Sequence, residues 1–188
     1  MSSRTIRGAI LERTGAERPY AGSRPLRVAE LELDPPGPGE VLVRIEAAGV
    51  CHSDLSVVNG SRIRPLPMLL GHEAAGRIEE LGPDVPDLRP GQRVVMAFLP
   101  RCGECAACRT NGKMPCTPGS AANNEGTLLG GGIRLTAAAE PCCTIWGFPL
   151  SRPTPSSITA PSLPWTMMCR LPLPPCSGVQ CLPVPGPC

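Results

Sequence analysis

Residues 101–116 read R-C-G-E-C-A-A-C-R-T-N-G-K-M-P-C, from Arg101 to Cys116. Four thiols fall in this one short stretch, at separations of three, three and eight residues. Two-residue gaps let a turning backbone aim successive sulfurs at one point, and Gly103, Gly112 and Pro115 supply the bends. Zinc takes four tetrahedral thiolates at about 2.3 Å, so Cys102, Cys105, Cys108 and Cys116 are expected to close a metal shell. Four filled positions leave no place for water or substrate, and such an ion staples a lobe rather than performing chemistry. A pair of disulfides is the competing reading; thiols this close in a chain without an evident export signal favour metal over it.

Outward from this loop the chain divides in two. Residues 1–140 hold 16 of the 18 Lys and Arg and all 16 Asp and Glu, and are nearly neutral. From Pro141 to Cys188 there is no acidic residue, while 12 Pro and six Cys accumulate. Proline removes ladder donors and blocks helix interiors, so 141–188 is expected to be a disordered Pro/Cys-rich tail. The start, M-S-S-R-T-I-R-G-A-I-L-E-R, lacks the long apolar core of a signal peptide, and no run of 18 apolar residues occurs. A cytoplasmic protein with no membrane partner is the expectation. Near-zero net charge over 1–140, no basic stripe and few aromatics give no footprint for nucleic acid.

Across 1–140 short strands alternate with turn residues, the pattern of a mainly β barrel or sandwich. Thr5–Leu11 and Leu26–Leu33 read as strands, the second through Leu26, Val28, Leu31 and Leu33 with Ala29 between. Glu40–Val50 places Val41, Val43 and Ile45 on one face. Gly76–Leu81 and Arg93–Phe98 repeat the pattern, and one helical turn is expected near Ser53–Asn59. Gly130-Gly131-Gly132 reads as a loop.

Chemistry is offered from two strand ends. Cys51 lies in G-V-C-H-S-D after one strand, and His72 with Glu73 lies in L-G-H-E-A-A-G before another. A thiolate and an imidazole, with the carboxylates of Asp54 and Glu73 beside them, suit an open catalytic zinc site. Two such residues alone equally fit a buried cysteine and a structural histidine.

Taken in order, G-V-C-H-S-D, G-H-E-A-A-G-R-I-E-E-L-G, P-G-Q-R-V and the four-cysteine stretch resemble the N-terminal, GroES-like half of the zinc-dependent medium-chain alcohol dehydrogenases, over about residues 5–135. The resemblance implies a GroES-like, partly open β-barrel at 1–140 with a zinc-bound lobe. It implies that Cys51 and His72 are catalytic zinc ligands, with Glu73 behind the ion either as an alternate ligand or as a support to the ligands. Ser53 would relay the substrate alcohol's proton, Asp54 would hydrogen-bond His72 from behind, and His52 would lie near the cofactor pyrophosphate. Ser56 stands where some members carry a relay histidine.

In that family zinc acts as a Lewis acid on an alcohol that gives hydride to NAD or NADP. Two parts of that machinery are missing from these 188 residues: a third Cys ligand for the catalytic zinc, and the G-x-G-x-x-G of a Rossmann domain. The missing Cys is legible in another reading frame. Joining the last base of each codon to the next two, Trp165-Thr166-Met167-Met168-Cys169 forces Asp-x-Asp-Val, similar to the family's acidic turn ahead of that Cys. With synonymous bases chosen freely, Cys176–Cys188 then yields Leu-Gly-Cys-Ala-Val-Leu-Thr-Gly-Ala-Gly-Ala-Val, resembling the segment that carries it. The inference is a frameshift near Pro141, giving a truncated chain expected to be inactive alone and not to form the family's homo-oligomer. The alternative is a non-enzymatic zinc-binding interaction module. Small alcohols or aldehydes are the substrates the resemblance implies.

Overall fold

The structure, a computed structural model, describes residues 3–96, 98–110, 113–144, 150–151 and 165–170, the last two stretches as backbone. Its elements in order are β1 (Arg4–Leu11), α1 (Tyr20–Ser23), β2 (Leu26–Leu33), β3 (Glu40–Ala48), α2 (His52–Val58), β4 (Met68–Leu69), β5 (Ala74–Leu81), β6 (Arg93–Met96), a 3-10 turn (Cys108–Thr110), α3 (Thr117–Glu125), β7 (Leu135–Ala137), β8 (Glu140–Pro141), β9 (Cys143–Thr144), β10 (Leu150–Ser151) and β11 (Trp165–Arg170). One sheet runs β8-β7-β2-β1-β4-β9 and the other β10-β6-β5-β3-β11. Their pairings are antiparallel except β4 with β9. This is the mainly β fold expected from the strand pattern, in the partly open barrel form that the family resemblance implies.

β3 lies at the centre of the packing, and its sequence says why. Val41, Val43 and Ile45 point into one core, with Leu11, Val57 and Ile78. Leu42 points the other way, into a second core with Ile10, Leu31 and Leu135. A strand covered on both faces can be apolar at consecutive positions, and each fully buried aliphatic side chain contributes about 1.5–3 kcal/mol. Register shifts at Leu42/Val43 and Ile45/Ala47 break its ladder with β5. Such bulges bend a strand and re-aim the chain beyond them; in this strand they redirect the segment that carries Cys51.

Several boundaries differ from the sequence reading. β3 ends at Ala48, not Val50, and β6 at Met96, not Phe98. In β2, Leu31 and Leu33 are buried but Leu26 and Val28 are 42% and 56% exposed. Period-2 geometry puts 26 and 28 on the face opposite 31 and 33, so Ala29, not Val28, continues the inward row.

α3 was not legible as a helix, since T-P-G-S-A-A-N-N-E is poor in strong helix formers. Tertiary contacts supply what propensity lacks. Cys116 is its N-cap, its sulfur accepting from the Gly119 N–H at 3.3 Å, and Gly126 in the left-handed region closes it. A Cβ at Gly119 would collide with the Pro100 carbonyl oxygen, so only glycine lets the helix lie this close to residues 98–100.

The ordered β structure continues past residue 140. Cys142 and Cys143 are buried, and β9 adds to the edge of β4. β11 pairs with β3 from Trp165 opposite Ile45 to Arg170 opposite Glu40. Trp165–Arg170 contains no proline, and the edge of β3 offers backbone groups for it to meet. The rest of the tail lies outside the described residues.

Candidate metal centres

Cys51 is placed by the joint between β3 and α2. It is the N-cap of α2, in extended conformation, and the cap is reciprocal: the Asp54 Oδ2 accepts from the Cys51 N–H at 3.0 Å, while the Cys51 side chain accepts from the backbone of Asp54. The other Asp54 oxygen, Oδ1, accepts from the Gly71 N–H at 3.2 Å and faces His72 Nδ1 at 3.1 Å. Asp54 and His72 are 4% and 3% exposed, so this carboxylate and imidazole meet out of water. With the carboxylate holding the proton on Nδ1, the lone pair of Nε2 is left to a ligand. Ser53 Oγ lies 3.1 Å from that Nε2.

Glu73 comes next, exposed, where the Gly49 N–H donates to its carbonyl at 2.8 Å and ties the exit of β3 to the entry of β5. One ligand atom each from Cys51, His72 and Glu73 lie within 4.8 Å of one another. Hydrogen bonding with the side chain and then the backbone of Ser53, and next with His72, holds the Cys51 thiol below its ordinary range. A thiolate, an imidazole and a carboxylate are the donor types zinc takes, and three of them leave a fourth position open. The donor set fits that ion. A largely apolar cavity of about 570 Å³ borders the cluster at Asp54 and Glu73.

The second cluster is built by backbone. Cys102, Cys105, Cys108 and Cys116 offer sulfurs within 4.8 Å of one another. The Cys105 N–H donates to Cys102 Sγ at 3.3 Å, the Cys108 N–H to Cys105 Sγ at 3.4 Å, and the Cys102 N–H to Cys116 Sγ at 3.3 Å. The N–H groups of Cys108 and then Thr117 hold Cys105 down to about 6, whereas burial pushes Cys116 up to about 12 and Cys108 upward. The unlike acidities of Cys105, Cys108 and Cys116 are levelled when a metal takes them as thiolates. This donor set also fits zinc, with no position left over.

The description "Alcohol dehydrogenase GroES-like domain" matches residues 37–145. The chain belongs to that family. Over 114 residues it is 41% identical to an NDMA-dependent alcohol dehydrogenase of Amycolatopsis methanolica, a match covering 61% of this chain and 29% of that protein. The crystal structure of an alcohol dehydrogenase zinc-binding domain protein from Burkholderia ambifaria superposes with a TM-score of 0.67 at 34% identity, over 77% of this chain and 37% of that one. A cobalt- and zinc-bound thermostable alcohol dehydrogenase from Pyrobaculum aerophilum gives 0.53 at 36% identity, over 61% and 33%. The chain thus matches about three tenths of the curated relative's length.

Within this alcohol dehydrogenase domain the fold gathers Cys51, Ser53, Asp54, His72 and Glu73, and separately gathers the four lobe cysteines. His52 is exposed on the first turn of α2 and stands apart from both clusters. Ser56 Oγ donates to the His52 carbonyl at 3.1 Å, so its hydroxyl is used by the helix backbone. Sequence reasoning missed Phe98, whose ring meets the His72 ring edge-on at 5.6 Å and 65°. Arg62, its guanidinium 5.9 Å from that phenyl ring, was missed too. A strand reading to Phe98 gave no sign that this residue leaves the sheet for the site. Among the described residues, no helix is long and apolar enough to cross a membrane.

Proposed function

We propose that this chain is the substrate-side domain of a zinc-dependent, nicotinamide-linked alcohol dehydrogenase, in which Cys51, His72 and Glu73 hold a catalytic zinc and the four lobe cysteines hold a structural one. The observation that carries this is the three-donor cluster within 4.8 Å, with Asp54 on the far nitrogen of its imidazole. A structural histidine has no need of a thiol and a second carboxylate converging on its other side. The relatives named as alcohol dehydrogenases, one of them zinc-bound, support the same reading.

Bound there, zinc would supply Lewis acidity to an alcohol or aldehyde oxygen. The chain's own residues do the rest. Asp54 keeps the proton on His72 Nδ1 and so keeps Nε2 a lone-pair donor. Ser53 Oγ, beside that nitrogen, is the hydroxyl placed to take up and pass on the alcohol's proton. Phe98 places an apolar ring edge-on beside the His72 imidazole. His52, exposed at the start of α2, would meet the cofactor's pyrophosphate.

Hydride transfer needs a nicotinamide held beside the alcohol carbon. These 188 residues contain no G-x-G-x-x-G to hold one, so this chain by itself is expected to bind metal without turnover. Metal counting tests the reading. Purified protein should take up two zinc equivalents, the Cys51→Ala variant one, and neither should reduce NAD or NADP with simple alcohols. A single zinc in the unmodified protein, unaffected by Cys51→Ala, would leave only the non-enzymatic zinc module.

A further inference from the structure

The two metal clusters are joined by a chain of contacts that neither needs for its own ligand geometry. Cys116 is both a lobe ligand and the N-cap of α3. One turn on, Gly119 packs against the Pro100 carbonyl. Two turns on, Asn123, 3% exposed, donates from Nδ2 to the Phe98 carbonyl at 3.0 Å. Phe98 then presents its ring to the His72 imidazole at 5.6 Å. Asp54 meets that imidazole at Nδ1 and Ser53 meets it at Nε2, and the Phe98 ring adds a third contact, with the ring itself. Among the described residues Asn123 Oδ1 has no hydrogen-bond partner, so the side-chain amide's polar contact is the one made to Phe98. A buried amide with half its capacity unmet is costly to keep; the bond it does make fixes where the 98–100 segment sits relative to the helix.

We propose that Asn123 is a positioning residue: through Phe98 it transmits the metal-ordered state of the four-cysteine lobe to the orientation of His72. Filling the lobe orders α3 from its cap, and α3 holds Phe98 where its ring limits the rotation of the imidazole. The lobe thereby tunes the ligand it does not contain. This rests on the reading that both clusters bind metal, and stepwise metal addition separates the two ideas.

The protein has only two histidines, His52 and His72, so ring resonances labelled with 15N report each one. One equivalent of zinc, taken by the four thiols, should shift and narrow the His72 signals while leaving those of exposed His52 unchanged. In Asn123→Leu, similar in volume but without the donor, the His72 response should disappear, while cobalt substitution still gives the thiolate charge-transfer band of a filled lobe. Affinity for the second equivalent should fall about tenfold, as outer partners of ligands typically cost. Glu125→Gln, at the exposed end of α3, should behave as the unmodified protein. If Asn123→Leu fails to fill the lobe, Phe98→Leu, which leaves α3 intact, decides in the same way. A His72 signal indifferent to the first equivalent, or a response that survives both substitutions, overturns the proposal. Absence of any second equivalent in the unmodified protein instead defeats the catalytic-zinc reading, and leaves the His72 response to the first equivalent as the test of the link.

Discussion

The lobe and the site solve the same problem, gathering donors for an ion, by opposite means. In the lobe three of the four sulfurs accept from the peptide N–H of another ligand, so the loop that carries the donors also aims them. At the site Cys51 and His72 come from separate segments, and one carboxylate, Asp54, bonds to both. Backbone-built geometry is cooperative, because losing one ligand loosens the loop that aims the others. Side-chain-built geometry is graded, because the brace is not itself a donor and stays in place when one donor is lost. The lobe should therefore fail as a unit and the site by degrees.

The largest effect expected is at the lobe. Cys105→Ser should cut its zinc affinity at least ~100-fold and lower the melting temperature by more than about 10 °C, because metal-binding energy here is folding energy. Zinc content and thermal melts measure this, and a serine variant that kept tight zinc with an unchanged melt would erase the contrast. Next comes Asp54→Asn, which puts an amide where a carboxylate accepts from Cys51, Gly71 and His72. Metal affinity at the site should drop about 10–100-fold and folding stability by roughly 2–3 kcal/mol, while the lobe keeps its ion. If the lobe's zinc were lost as well, the two regions would not be separable.

A smaller contrast lies inside the lobe when metal is removed. At pH 7 Cys105, held down to about 6, is mostly thiolate and should react with iodoacetamide about tenfold faster than an ordinary thiol, whereas Cys116, pushed up to about 12, stays inert. The linkage has a definite sign. Ionised Cys105 stabilises the metal-free fold fully above its ordinary value of 9.0 and ceases to do so as pH falls from there toward about 6. Cys116 acts in the other direction, losing its contribution as pH rises from 9.0 toward about 12. Zinc should abolish the difference in alkylation, and equal rates at the two thiols without metal would contradict it. Smallest of all in its effect on folding, Glu73→Gln should leave the melt unmoved while it removes one donor to the second metal, because Glu73 is exposed and carries little of the packing. A loss of folding stability as large as that of Asp54→Asn would mean the site is as cooperative as the lobe.

The same difference set how far each region could be read from its residues. The lobe is contiguous, so spacing alone named its four ligands. Cys51, His72 and Glu73 are separated by a loop whose path no local pattern specifies, and it took family resemblance to join them. β3 was legible because its apolar run is long, but its end was misplaced by two residues where burial gives way to the site. Asn123 was invisible: it lies on a helix that exists through its cysteine cap and a glycine contact, and nothing in T-P-G-S-A-A-N-N-E announces either. The strand at Trp165–Arg170 was hidden by an average over the tail that its own six residues do not obey.

Asp54 also gives the site a property of a different kind. All three converging donors, the hydroxyl of Ser53 and the carboxylate that braces the imidazole lie on one uninterrupted piece of chain, from Cys51 to Glu73. The piece begins at the end of one strand and stops at the start of its hydrogen-bonded neighbour. It is portable. A recombination event, or a designer, that exchanges this insert between two barrels with the same adjacent strands moves the donors together with their bracing. What stays behind is the barrel that receives them and Phe98, so a transplanted site would keep its chemistry and take its fine alignment from the host.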